Sequence, residues 1–297
     1  MNVEAYRDTP EYRAAYDRLS ERRLPGWPVW HHGADEVGDA FAFWAVRQGG
    51  ELVGYADCGD IPGVEDPEAF HVWIVTDPDV AGTGAGVALL DRARGFARAH
   101  GRTALVTSVD QDDERANRWM ASRGFEVHGE SVGYELAAGP LAASTSDLTV
   151  TDGAELSDVD RRRVVELLVS THNRLVFPGG GVVREPAAEL ESAYLDPGQC
   201  RLTVGWRDGE PVTWAAWADD EQTAAVLESG VADDDPADTA AVLAQVAARA
   251  RAGTLRITAS PQTHPVLTKV IRGQEHRVLA VRQTWRGGMV DRGGAAR

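Results

Sequence analysis

The chain has 297 residues, of which 43% are hydrophobic, so it has enough material for ordinary cores and, as a prior, for two domains. Its 46 acidic residues against 30 basic ones leave a net charge of −16, with a single lysine, Lys269. Phosphate backbones are bound by cationic surface, so nucleic acid is not an expected partner. An acidic field suits a cationic substrate such as an amine, although acidity for solubility alone is the plainer account.

No apolar run approaches the roughly 20 residues of a membrane span. The opening MNVEAYRDTPEYR has no apolar signal segment, so the expectation is a cytoplasmic protein with no membrane partner. Cys58 and Cys200 form no metal-ligand spacing, and no metal site is expected. Nothing in the sequence reads out an oligomeric state.

In chain order, residues 41–47 and 51–57 alternate as strands across the turn Gln48-Gly49-Gly50, which predicts a hairpin. The nearly unbroken apolar run AFHVWIVT (69–76) predicts a buried strand, and residues 85–100 a helix with Leu89, Leu90, Ala93, Phe96 and Ala97 on one face. A short strand at 103–108, a helix at 112–122 stopped by Gly124, and a strand pair ending near Leu136 complete a first unit. The spacer AAGPLAASTSD (137–147) reads as a linker.

The order then repeats: a strand at 148–152, a helix at 157–171, and a hairpin of 200–206 with 211–218. A strand at 222–231, a helix at 237–251, a strand at 254–259 and a closing strand near 277–285 follow. Repetition of architecture with little identity suggests two copies of one α/β fold.

The stretch VTDPDVAGTGAGVALL (75–90) alternates Gly82, Gly84 and Gly86 where a strand ends and a helix begins. The first amides of a helix lack internal partners, the helix dipole adds positive character there, and glycine lets a phosphate approach the backbone. The mononucleotide loop requires Lys-Ser/Thr where Val87-Ala88 stand, and the dinucleotide pattern requires G-x-G-x-x-G. Both fit poorly, and a turn that only packs helix on strand is the other reading.

In context, this stretch resembles the acyl-CoA loop of the GCN5-related N-acetyltransferase (GNAT) superfamily. The family's R/Q-x-x-G-x-G/A falls on Ala81 to Gly86, and ERANRWMASRGFEVHG (114–129) is similar to its later helix and the Gly-Phe that follows. The resemblance covers roughly 41–136. Over 148–286 the likeness is one of fold order and of the tail VLAVRQTW, as in the second copy of tandem members.

The resemblance implies an α/β fold with a central mixed sheet flanked by helices. It divides the chain into a catalytic, acyl-CoA-binding unit at 1–138, a linker at 139–147 and a degenerate second copy at 148–297. It also implies an enzyme moving an acetyl group from acetyl-CoA to an amine of a small molecule. A CoA-binding or sensor protein without turnover is the alternative. An aminoacyl-tRNA-dependent transferase is a further one, which the acidic charge opposes.

Carried over residue by residue, Gly82, Thr83, Gly84, Ala85, Gly86 and Asp113 fall at the cofactor. Backbone amides of Trp73, Ile74 and Val75 fall against the thioester and pantetheine arm, with Trp73's in an oxyanion-hole role. Three departures stand out. Ala81 replaces the usual Arg or Gln, Met120 replaces the tyrosine that protonates the leaving thiolate, and Asp113 replaces an asparagine.

His71 stands where the family often has a glutamate base, and imidazole titrates in the right range; a buried histidine held by the backbone is the alternative. Asp57 and Asp60 end the third strand and are candidates to hold a cationic substrate, or simply face water. Trp30, with Trp27, His31 and His32 in PGWPVWHHG, lines a substrate pocket or packs on the core. In the second copy, four aspartates (233–235 and 238) occupy the place of the glycine loop and oppose phosphate binding.

Overall fold

A computed structural model describes residues 1–23, 40–61, 63–141, 147–196, 198, 200–219, 223–251 and 253–289. The first half runs β1 (Asn2–Ala5), α1 (Pro10–Arg23), β2 (Phe41–Gln48), β3 (Glu51–Gly59), β4 (Val64–Glu65), β5 (Ala69–Thr76), α2 (Ala85–Ala99), β6 (Ala104–Asp110), α3 (Glu114–Ser122) and β7 (Phe125–Ala137). After α4 (Ala138–Leu141) come β8 (Thr149–Asp152), α5 (Asp158–His172), β9 (Val182–Val183), α6 (Ala187–Leu195), β10 (Arg201–Arg207) and β11 (Glu210–Asp219). The chain continues through β12 (Ala224–Val231), α7 (Pro236–Arg249), β13 (Thr254–Ala259), α8 (Pro265–Arg272) and β14 (His276–Gly288). No described helix is long and apolar enough to cross a membrane.

Twelve strands form one mixed sheet in the order β1-β2-β3-β5-β6-β14-β7-β13-β12-β11-β10-β8. The two halves interleave at its centre. β14 lies antiparallel between β6 and β7, pairing Arg282 with Asp110 on one side and with Ser131 on the other. β7 in turn pairs with β13, Tyr134 opposite Ile257.

The strand pair expected to end near Leu136 is therefore a single 13-residue strand. Its glycines make room rather than a turn: a Cβ on Gly129 would stand 2.9 Å from Pro178 Cβ. Four of the described helices went unread in the sequence, α1, α4, α6 and α8; α4 lies within the stretch read as a linker and buries Ala138 and Leu141, and α8 is a short amphipathic helix that buries Leu267, Val270 and Ile271.

Alternation along the strands assigns the helices to faces. On β3 and β5, Ala56 and Ile74 pack with Leu89 of α2, whereas Tyr55 and Val75 pack with Leu19 of α1. On β14, Trp285 joins the core under α2 and α3, and Val281, four residues away on the same face, packs against the α7–α8 core. One face thus carries α2, α3, α7 and α8. The opposite face carries α1, and α5 and α6 pack together over Trp214 and Ala216.

Local chemistry sets the helix starts. Asp113 caps α3 by accepting from the Ala116 amide at 2.9 Å, and Ser157 caps α5 by accepting from Asp160 N at 3.2 Å. Trp214 is fully buried, and its indole N–H donates to Thr171 Oγ1 at 2.8 Å, so the ring is desolvated without an orphaned donor.

Candidate active site

β5 and β6 are parallel and paired only over Ala69–Ala104, Phe70–Leu105 and His71–Val106; beyond that point they run on unpaired. The gap opens into a cavity of about 430 Å³ lined by residues 72–76, the 78–87 turn, 107–110 and the side of α3 that carries Ala116, Trp119 and Met120. Which amides face it follows from the ladder on the other edge of β5. Asp77 N donates to Val53 O at 2.8 Å, so the pairs two and four residues back, Val75 with Tyr55 and Trp73 with Asp57, also exchange hydrogen bonds with β3. Val72, Ile74 and Thr76 aim their amides the other way, into the gap. Of the three strand residues expected at the thioester, Ile74 presents its amide there, while Trp73 and Val75 spend theirs on β3.

The glycine loop forms the rim. Gly82 and Gly84 sit at φ +82° and +95°, in the left-handed region open to glycine, and a Cβ on either would meet nothing within 4 Å. Backbone conformation, not crowding, is therefore what demands glycine here. Gly84 is the N-cap of α2 and has no side chain to cap it, so the amides of Ala85, Gly86 and Val87 keep their outward donors. Asp77 turns its carboxylate back to accept from Asp79 N at 3.0 Å, while Asp79 is exposed. Cationic charge reaches the cavity from elsewhere: Arg115 and Arg123 at the two ends of α3, and Arg282 on β14. Arg282 Nε donates to Asp110 Oδ1 at 2.9 Å.

The equivalent place in the second half is closed by its own side chains. Asp235 caps α7 by accepting from Ala237 N at 2.8 Å, Pro236 supplies no amide proton, and buried Asp238 is bound by Arg207 at 2.5 Å.

On the α1 face, Trp73 of the cavity wall packs with Tyr16 of α1 and Tyr55 of β3, and Asp57 of β3 stands opposite it in register. Ser20 Oγ and Tyr55 Oη are 2.8 Å apart, and the Tyr16 and Tyr55 rings lie 4.3 Å apart between centroids. The Trp73 amide hydrogen-bonds the Asp57 carboxylate, yet burial dominates and pushes that carboxyl up to about 7. Burial pulls His71 down to about 4, leaving a neutral imidazole at pH 7. Desolvation also raises Tyr16, Tyr55 and Cys58, and the Cys58 thiol is no nucleophile in this setting.

Asp60 has a partner already, since Arg102 Nη2 donates to it at 3.0 Å. Below the gap, the loop preceding β9 crosses from the second half onto this face. Its Phe177 packs against Ala69, Ala104 and Val106, and a Cβ on Gly179 would stand 2.5 Å from Val106 Cγ1. Arg286 latches the loop by donating to Gly179 O at 2.5 Å and to Asp66 Oδ2 at 2.9 Å. Trp30, with Trp27, His31 and His32, lies outside the described residues.

A model of the acetyltransferase (GNAT) family matches residues 5–125, which span the gap, the glycine loop and α3. Residues 5–125 thus form a domain of the GNAT family. Among curated relatives, mycothiol acetyltransferase of Frankia alni is 30% identical over 143 residues, a match covering 45% of this chain and 40% of that protein. The match thus spans less than half of the relative's length.

Among solved structures, a GCN5-related N-acetyltransferase from Sphaerobacter thermophilus aligns over 98% of this chain and 96% of its own, with a TM-score of 0.63 and 14% identity. A tandem GNAT protein from the clavulanic acid biosynthesis pathway aligns over 85% and 84%, with a TM-score of 0.57 and 17% identity. At such identities the likeness is one of fold. It bears out the mixed α/β sheet flanked by helices, and it extends well beyond residue 125.

Sequence reasoning missed the three arginines and the α1 groups. Arg115 and Arg123 lie within the stretch that resembled the later helix, and Arg282 within the tail VLAVRQTW, but only the sheet order brings that tail to the first-half cavity.

Proposed function

We propose that the chain transfers an acetyl group from acetyl-CoA to the amine of a small molecule, within the first half. The observation that carries this reading is a single cavity shared by two sets of amides: those of β5 turned into the gap, and those of the uncapped α2 start. Acetyl-CoA has a matching shape, with an amide-bearing arm that adds to a strand edge and phosphates that suit a helix N-terminus. Gly82, Thr83, Gly84, Ala85 and Gly86 hold the pyrophosphate, Arg115, Arg123 and Arg282 offset the remaining negative charge, and Asp113 lies at the α3 end of the cavity. The Ile74 amide faces the acyl carbonyl and stabilises charge developing there.

Met120, buried against this cavity, cannot donate a proton, so the departing thiolate takes one from water. The thiolate is a good enough leaving group for that near neutral pH. The second half, 148–297, does not bind CoA in this reading, because Asp235, Pro236 and Asp238 occupy its helix start.

Calorimetry with acetyl-CoA, followed by thiol release in a panel of primary amines, tests the proposal. Binding with amine-dependent thiol release supports transfer. Binding without release for any amine favours a CoA sensor, and no binding removes the assignment.

A further inference from the structure

We infer that Asp57 is the acceptor-binding base of this site: its carboxylate receives the ammonium of the incoming amine and takes its proton. The inference rests on the acyl-transfer reading above and names the class of acceptor, a cationic amine, and the group that activates it. Three observations carry it.

The first is position. Asp57 is paired in register with Trp73, the second residue of β5 after its last pairing with β6, so it stands one strand away from the start of the gap, behind a residue that lines the cavity. Its side chain is on the α1 face, beneath Tyr16 and Tyr55, which leaves the α2 face for the helix that holds the glycine rim.

The second is charge. Asp60, three residues on, is bound by Arg102, and Asp66 by Arg286. Asp57 has no cationic partner among the described residues; what surrounds it is Tyr16 of α1, Tyr55 and Cys58 of β3, and His71 and Trp73 of β5. A desolvated carboxylate left without a cation is costly, and such sites are where function is found. An ammonium supplies the missing charge.

The third is the match of proton affinities. A base works best when it titrates near the working pH. Asp57, pushed up to about 7, meets that condition, whereas His71, pulled down to about 4, is too weak to strip an ammonium.

The step balances as follows. The Asp57 carboxylate takes one proton from R–NH3+, leaving the neutral amine. The nitrogen lone pair forms the C–N bond at the thioester carbonyl, and the C–S bond breaks as the thiolate leaves. The second nitrogen proton goes through water to that thiolate, and protonated Asp57 returns its proton to solvent.

The test compares two small nucleophiles with acetyl-CoA: methylamine, cationic at neutral pH, and hydroxylamine, already neutral there. In the wild type, kcat/KM for methylamine should rise with pH and level off above about 7. Asp57→Asn should lose at least about 100-fold of methylamine turnover together with that limb. It should keep hydroxylamine turnover within about threefold and keep acetyl-CoA affinity by calorimetry. His71→Gln should keep the limb. An Asp57→Asn protein that retains the methylamine limb, or a His71→Gln protein that loses it, overturns the assignment of the base. A variant that loses both nucleophiles while still binding acetyl-CoA reassigns Asp57 to structure. If the wild type neither binds acetyl-CoA nor releases thiol with hydroxylamine, the acyl-transfer reading fails, and the base assignment falls with it.

Discussion

Replacing Gly84 separates backbone geometry from packing. The residue sits at φ +95°, ψ 2°, and a Cβ there meets nothing within 4 Å, so Gly84→Ala adds no clash. What it adds is the cost of an L-residue in left-handed backbone, about 1–2 kcal/mol. If the loop relaxes to escape that cost, at least one rim amide turns away from the phosphate. A hydrogen bond to a charged group is worth about 1.5–3 kcal/mol, so affinity for acetyl-CoA should fall by about 10- to 150-fold. Gly84→Val should lose at least as much, since β-branching stiffens the backbone further.

Gly209 provides the control. It lies at φ +80° with equally open surroundings, in the β10–β11 turn away from the cavity. Gly209→Ala should cost similar stability and leave affinity alone. Calorimetry on all three proteins, with melting curves alongside, reads the outcome. Gly84→Ala binding acetyl-CoA as tightly as the wild type, with its fold intact, refutes the anion-rim argument.

Titration of the intact chain with acetyl-CoA should give one site, abolished by Gly84→Val and unmoved by the triple change of Asp233, Asp234 and Asp235 to Asn; two sites, or a site that answers to the aspartates, defeats the division of labour between the halves. Stability should carry two opposed pH dependences. His71, whose folded pKa of about 4 lies below the ordinary 6.5, adds stability as pH rises from about 4 to 6.5, whereas Asp57, raised from 3.8 to about 7, removes it from about 4 to 7. The two largely cancel in the wild type. Asp57→Asn should expose the rising His71 limb in denaturant titrations at pH 5.0 and 6.5; a flat difference between variant and wild type would contradict the Asp57 assignment, and a variant whose own stability does not rise would contradict that of His71. Trp214→Ala empties a fully buried indole site and should cost about 3–5 kcal/mol, read as a lower denaturation midpoint at unchanged slope.

Sequence pattern carried the first half well because its signals are local. The 69–76 run, the Gly-alternating turn and the Leu89–Ala97 face each announce an element within a window of about 15 residues. The parts that stayed hidden depend on pairing. Residues 125–137 were expected to hold a strand pair, and the reason Gly129 sits within one continuous strand, close approach of Pro178, lies far along the chain. The site divides in the same way. The glycine rim was readable as chemistry at a helix start. Which β5 amides face the gap depends on parity against β3, and that Asp57 has no cationic partner among the described residues shows only once Arg102 is seen to choose Asp60.

The interleaving of β14 and β7 also has a temporal meaning. Arg98 Nη2 reaches Met289 O across 191 positions of sequence, and Arg282 reaches Asp110 across 172. During synthesis, α2, the glycine turn and α3 leave the ribosome with the inner edge of β6 bare, and it stays bare until residues 276–288 have followed. Contacts so distant in sequence are slow to close, and an uncovered strand edge invites association with other chains while it waits. Arg282, the part of the cavity wall that β14 supplies, is consequently among its last pieces to arrive.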